Sequence, residues 1–102
     1  MPWKIRITAS ASKDVADIKK WYKGKSIQAA ENFLEELITS IDTLESDKVE
    51  HKTVHGEYKR LLLSKFPYII YYRRNDANGT VEIVAVLHNK RDKEAITRRL
   101  YE

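Results

Sequence analysis

The sequence predicts an α+β domain in which an antiparallel helix hairpin packs on one face of a small, mainly antiparallel sheet, in the order β-α-α-β-β-β. Three observations predict it. The N-terminus alternates apolar with polar residues; two stretches of helical periodicity follow, joined by a short turn; and three apolar runs then come in succession, divided by Pro67 and by Asn78-Gly79. The 102 residues suit one domain covering positions 1–102, and 42% hydrophobic with 33% charged residues is the balance of a packed chain.

Trp3, Ile5 and Ile7 alternate with Lys4, Arg6 and Thr8, the period of a strand with one buried face. Ser10 or Ser12 is expected to cap the first helix, with Asp14 in its first turn, where a carboxylate is favourable. Ala11, Val15, Ile18 and Tyr22 form its apolar stripe, and Gly24 supplies a stop. After Ser26 a longer helix carries Ile27, Ala30, Phe33, Leu34, Leu37, Ile38, Ile41 and Leu44 on one stripe, with Glu31, Glu35, Asp42 and Glu45 mostly off it. Residues 46–56 read as a polar loop with a short extended piece around Thr53-Val54. Strands are expected at 58–66, 68–74 and 80–87. Pro67 lacks an N–H for a ladder and belongs at the first connection, and Asn78-Gly79 provides the positive φ for the second. Ala95, Ile96 and Leu100 then fit a short terminal helix.

Charge is unevenly divided. The net charge is +4, with residues 1–50 at −1 and residues 51–102 at +5. A basic C-terminal half suits a polyanion or an acidic partner protein, as well as simple solubility. The absence of cysteine removes disulfides and thiolate chemistry and fits a reducing compartment. No apolar run approaches the roughly 18 residues of a membrane span, and Met1-Pro2-Trp3-Lys4 lacks the apolar stretch of a signal peptide, so a cytoplasmic protein with no membrane partner is expected. No glycine-rich phosphate loop or serine nucleophile motif occurs. His51 and His55 have the spacing of a helical metal pair but fall in a loop-like stretch with no third ligand, so neither metal nor cofactor is expected.

The run Lys59-Arg60-Leu61-Leu62-Leu63-Ser64-Lys65-Phe66-Pro67-Tyr68-Ile69-Ile70-Tyr71-Tyr72, followed by Val84-Ala85-Val86-Leu87-His88-Asn89-Lys90-Arg91-Asp92, resembles the C-terminal half of RelE/ParE toxins. Ala11, Lys13-Asp14, Trp21-Tyr22, Ala30, Phe33 and Leu37 agree in outline with the two helices of such toxins. The resemblance implies the toxin of a type II toxin-antitoxin system of the plasmid-stabilisation kind. Its wording is closer to the ParE side, which implies inhibition of DNA gyrase and neutralisation by a cognate antitoxin protein in a hetero-oligomer. The alternative it implies is a RelE-like, metal-independent endoribonuclease that cuts mRNA on the ribosome.

RNA cleavage through the 2′-hydroxyl needs a base, an acid and cations at the phosphate. On the RelE-like reading His88, Arg60, Arg91 and Tyr101 are the catalytic candidates, with Lys59 and Lys90 as further phosphate ligands. On the ParE-like reading Arg60, Lys65, Arg73, Lys90 and Arg91 contact the partner. Each has a plainer use. His88 suits a hydrogen-bonded strand end, Arg91-Asp92 an anchor for the tail, Phe66-Pro67-Tyr68 a packed turn, and Lys59 and Lys65 a solvated face. Of Trp21 and Tyr22, adjacent on a helix, at most one fully shares the core stripe. If one strand runs through both Glu57 and Arg60, alternation sets them on opposite faces, and Glu57 shares a face with Lys59.

Overall fold

The computed structural model describes residues 3–45 and 53–101. Five strands, β1 (Lys4–Ile7), β2 (Thr53–His55), β3 (Tyr58–Leu62), β4 (Tyr68–Asn75) and β5 (Thr80–His88), form one sheet in the order β1-β5-β4-β3-β2. Only β1 and β5 run parallel. The helix hairpin is α1 (Ala9–Lys23) and α2 (Ile27–Asp42), followed by a 3-10 turn at Thr43–Glu45, and α3 (Lys93–Leu100) closes the chain. The α+β layout is the expected one, and the extended piece at Thr53-Val54 is a short edge strand. Among the described residues no helix is long and apolar enough to cross a membrane.

Three local expectations are corrected. The cap of α1 is Thr8, not Ser10 or Ser12: its N–H donates to the Ile83 carbonyl, which holds it in the extended conformation an N-cap needs, and its hydroxyl accepts from the Ala11 N–H at 3.1 Å. Ser10 and Ser12 are therefore inside the helix, and Asp14 lies beyond its first turn. β3 ends at Leu62 rather than 66, because the Glu36 carboxylate of α2 takes the Ser64 hydroxyl at 3.0 Å and the Lys65 N–H at 2.9 Å and folds the chain into a turn. Ile7, expected in the core, is 45% exposed at the end of an edge strand.

Both faces of the sheet are covered. Ala11, Ile18, Phe33 and Leu37 of the hairpin pack on Ile70, Tyr72, Val81, Ile83 and Val86. On the other face Tyr58, Ile69, Tyr71, Ala85 and Leu87 are covered by Leu100 and Ile96 of α3 and by Val54. Alternation along β5 breaks once. Its register against β4 passes from Tyr71↔Ala85 to Tyr72↔Ile83, which leaves Val84 as the extra residue of a β-bulge. Val81 and Ile83 face the hairpin, Val84 and Ala85 both face α3, and Val86 faces the hairpin again.

Candidate functional site

The end of β5 and the last turn of α1 meet beyond the reach of β1. Pairing with β1 stops at Ile7↔Ile83, and past that point no strand among the described residues pairs with the outer edge of β5. Side chains of the first helix fill in. The Thr8 hydroxyl donates to the Val84 carbonyl at 3.5 Å, and the Asp14 carboxylate accepts the Val86 N–H at 3.0 Å. The same carboxylate takes a bidentate ion pair from Arg99 of α3, at 2.9 and 2.7 Å, with both side chains largely buried. This clip ties α3 to α1 around the sheet edge. Nothing in the sequence marks it, because its members are 85 residues apart.

Beside the clip, Asp17, Trp21, Tyr68, His88 and Arg91 line a cleft of about 270 Å³. His88 stands opposite Tyr68 in the ladder, with ring centroids 5.4 Å apart. Its Nδ1 accepts the Lys90 N–H at 3.0 Å, and its carbonyl accepts the Arg91 N–H at 3.1 Å. The tight turn so formed leaves the Lys90 and Arg91 side chains exposed. Asp92 caps α3 by accepting the Ala95 N–H at 2.7 Å, a bond within the tail itself, whereas the Asp14–Arg99 clip holds the tail at the sheet edge.

The opposite face carries a different set. Arg60 is half-buried and stands across from Tyr71, whose phenol burial pushes up and the Arg60 charge pulls down. Arg73 pairs with Glu57 and Glu82, each at 2.9 Å, and lies 5.7 Å over the Tyr58 ring. The Glu57 hydrogen bond raises the Arg73 pKa against the opposing effect of burial, and Glu82 and Tyr58 add to the rise. Glu57 reaches this face because β3 begins only at Tyr58, after a turn through Gly56 at φ +57°, so strand alternation does not govern it. Tyr101 packs edge-on against Tyr58, with centroids 5.6 Å apart, and its hydroxyl would lie 2.9 Å from a Cβ placed on Gly56.

The fold thus gathers His88 and Arg91 on the hairpin side of the sheet, with Lys90 exposed in the turn between them, and Arg60, Arg73 and Tyr101 on the α3 side. Lys65 belongs to neither group; it lies in the turn held by Glu36. Lys59 is on the hairpin side of β3, one residue out of phase with Arg60. The Phe66-Pro67-Tyr68 segment packs and turns, with both rings against Tyr22 and Phe33. Of the helix-end pair, Tyr22 joins the core and Trp21 is 57% exposed. Among the described residues no group of three His, Cys, Asp or Glu is placed to hold a metal, and His51 lies outside the described residues.

Residues 5–93 match the model of a family described as the ParE toxin of type II toxin-antitoxin system, parDE. The chain is also similar in structure to a solved chain of the chromosomal ParDE TA system from P. aeruginosa, with a TM-score of 0.73 over 84% of this chain and 95% of that one. At 13% identity that likeness speaks for the fold alone. No curated protein matches it in sequence.

Proposed function

The chain belongs to the ParE toxin family of type II toxin-antitoxin systems, and from that premise we propose that it acts in the cytoplasm by binding and inhibiting DNA gyrase, and that a cognate antitoxin neutralises it. The observation that carries a binding mode over a nuclease mode is the division of the titratable groups. Acid-base cleavage of RNA requires a base, an acid and phosphate-holding cations around one scissile bond. Here the sheet stands between His88 with Arg91 and Arg60 with Tyr101.

The placement also supports a reading of the kind of antitoxin. A segment that contacts Arg60, Lys65, Arg73, Lys90 and Arg91 has to pass around the sheet, because these cations lie on different sides of it. An acidic chain that is disordered alone and folds onto the toxin can do this, and a rigid globular partner cannot. Leu62, 54% exposed and two residues from Arg60 on the same strand face, gives such a segment an apolar contact beside the charge. The complex is a toxin-antitoxin hetero-oligomer serving plasmid stabilisation.

The test is induction of the chain in cells, with plasmid supercoiling and mRNA integrity followed together. Gyrase-linked DNA breaks with intact mRNA are the expected result, and His88→Ala should keep full toxicity. Cleavage of mRNA in the ribosomal A site, lost in His88→Ala, would replace this reading with the RelE-like one.

A further inference from the structure

A finer division of charge lies beneath the one between halves. Residues 1–25 carry seven Lys or Arg against two acids, and residues 26–50 carry one against seven. Folding brings the end of the cationic stretch to the β5–α3 turn, since Trp21 lines the same cleft as His88 and Arg91. Arg91 lines it and Lys25 lies over the Trp21 ring, and Lys20, Lys23 and Lys90, their neighbours along the chain, are exposed. Trp21 is braced edge-on by Tyr22 with centroids 4.9 Å apart, and the Lys25 Nζ lies 5.1 Å from its ring centroid. The two acids of the cleft wall are engaged: Asp14 by Arg99, and Asp17 by Lys13 at 3.2 Å.

Part of this charge has a folding explanation. Lys20 and Lys23 sit in the last turn of α1, where a cation complements the helix dipole. Lys90, Arg91 and Lys93 do the reverse. They crowd the N-terminal end of α3, where the dipole is already positive and a cation is unfavourable. The dipole of α3, whose N-terminal end already holds Asp92 and Glu94, does not account for their position. The cation over the Trp21 ring is a lysine, as are Lys20, Lys23 and Lys90, and lysines act as mobile point charges suited to a run of phosphates rather than as bidentate clamps for a carboxylate. An aromatic face among such charges is how proteins hold unpaired nucleotides.

We propose that this pole of the molecule binds single-stranded nucleic acid, with phosphates along Lys20, Lys25, Lys90 and Arg91 and a base stacked on Trp21. The inference goes beyond the gyrase and antitoxin reading and does not need it. It is tested by fluorescence anisotropy of the full chain with labelled oligothymidylate and oligouridylate. Four phosphate contacts at a slope of about −0.7 each predict a loss of about 50-fold between 50 and 200 mM salt. Trp21→Ala should weaken binding at least about fivefold, Trp21→Phe should restore most of it, and the double reversal K90E/R91E should cost about tenfold or more. Lys4→Glu, which reverses an exposed charge beside Thr80 at the other end of β5, should stay within about twofold. Circular dichroism on each variant confirms that it is folded. Equal affinity for both oligomers supports reading of phosphate and base face alone, and a preference for one names DNA or RNA as the source. The proposal is overturned by absence of binding, by an equal loss in Lys4→Glu, or by tighter binding of the matching duplex. Polyglutamate that binds more tightly and ignores Trp21→Ala would make the pole a protein-docking surface instead.

Discussion

On the hairpin side of the sheet Tyr22, Phe33, Phe66 and Tyr68 meet ring against ring, with centroids 5.2 to 6.3 Å apart. On the α3 side a single eight-residue helix buries Leu100, and a surface network of Arg73, Glu57, Glu82 and Tyr58 continues the layer. The first face is interdigitated apolar volume, which is costly to cut. The second is a thinner cover, tied to the first helix by the Asp14–Arg99 clip. Stability resides mainly in the first, and freedom to rearrange in the second.

Removing a ring should give the largest effect. Phe33 is fully buried, so Phe33→Ala is expected to cost about 3–5 kcal/mol in urea unfolding. If the two faces were equally packed, Leu100→Ala would match it, and it should instead cost clearly less. Cutting the clip comes next. Asp14→Ala removes the carboxylate shared by the Arg99 guanidinium and the Val86 N–H and should cost about 2 kcal/mol. Its distinguishing mark is local: the α3 amides should exchange quickly with solvent and Arg98 should become open to trypsin, while the hairpin amides keep their protection. Smallest is the surface network, where Arg73→Leu should cost less than about 1 kcal/mol because its partners are partly exposed.

Both faces share one pH-sensitive feature, because Tyr71 points to α3 and Tyr72 to the hairpin. Burial raises both phenols above the ordinary value of 10.0, against the opposing charges of Arg60 and Arg74. The unfolded chain therefore loses these protons first. Their contribution is complete below pH 10.0 and is lost as the pH climbs through the raised folded values. Denaturant midpoints should fall above that pH, and the double change Y71F/Y72F should flatten the fall.

Much of the architecture was legible in periodicity and turn chemistry, which are local: the stripes of α1 and α2, the strand runs, the break at Pro67, and Gly79 at φ +66°. The misreadings came where distant partners decide. Thr8 caps α1 because Ile83 holds it extended, and β3 stops because Glu36 captures Ser64 and Lys65. The candidate site suffered in the same way. Arg60, His88, Arg91 and Tyr101 could be named from the sequence, but their sides of the sheet depend on register and on a bulge within Ile83–Leu87. That segment is apolar throughout and so has no period to break. Comparing the charge of two chain halves likewise concealed the cationic end of α1 behind the acids of α2.

The bulge at Val84 also sets how far this chain stands from a differently equipped relative. Counting from Ile83 in regular alternation, position 88 would fall on the α3 side, the side of Arg60 and Tyr101. The bulge is thus what keeps the imidazole on the hairpin side: the same residues paired in regular alternation would carry it through the sheet, whereas deleting Val84 together with its bulge would leave it where it is. A gathered and a divided arrangement of these side chains therefore differ by one irregularity in the ladder, with no change in the side chains themselves.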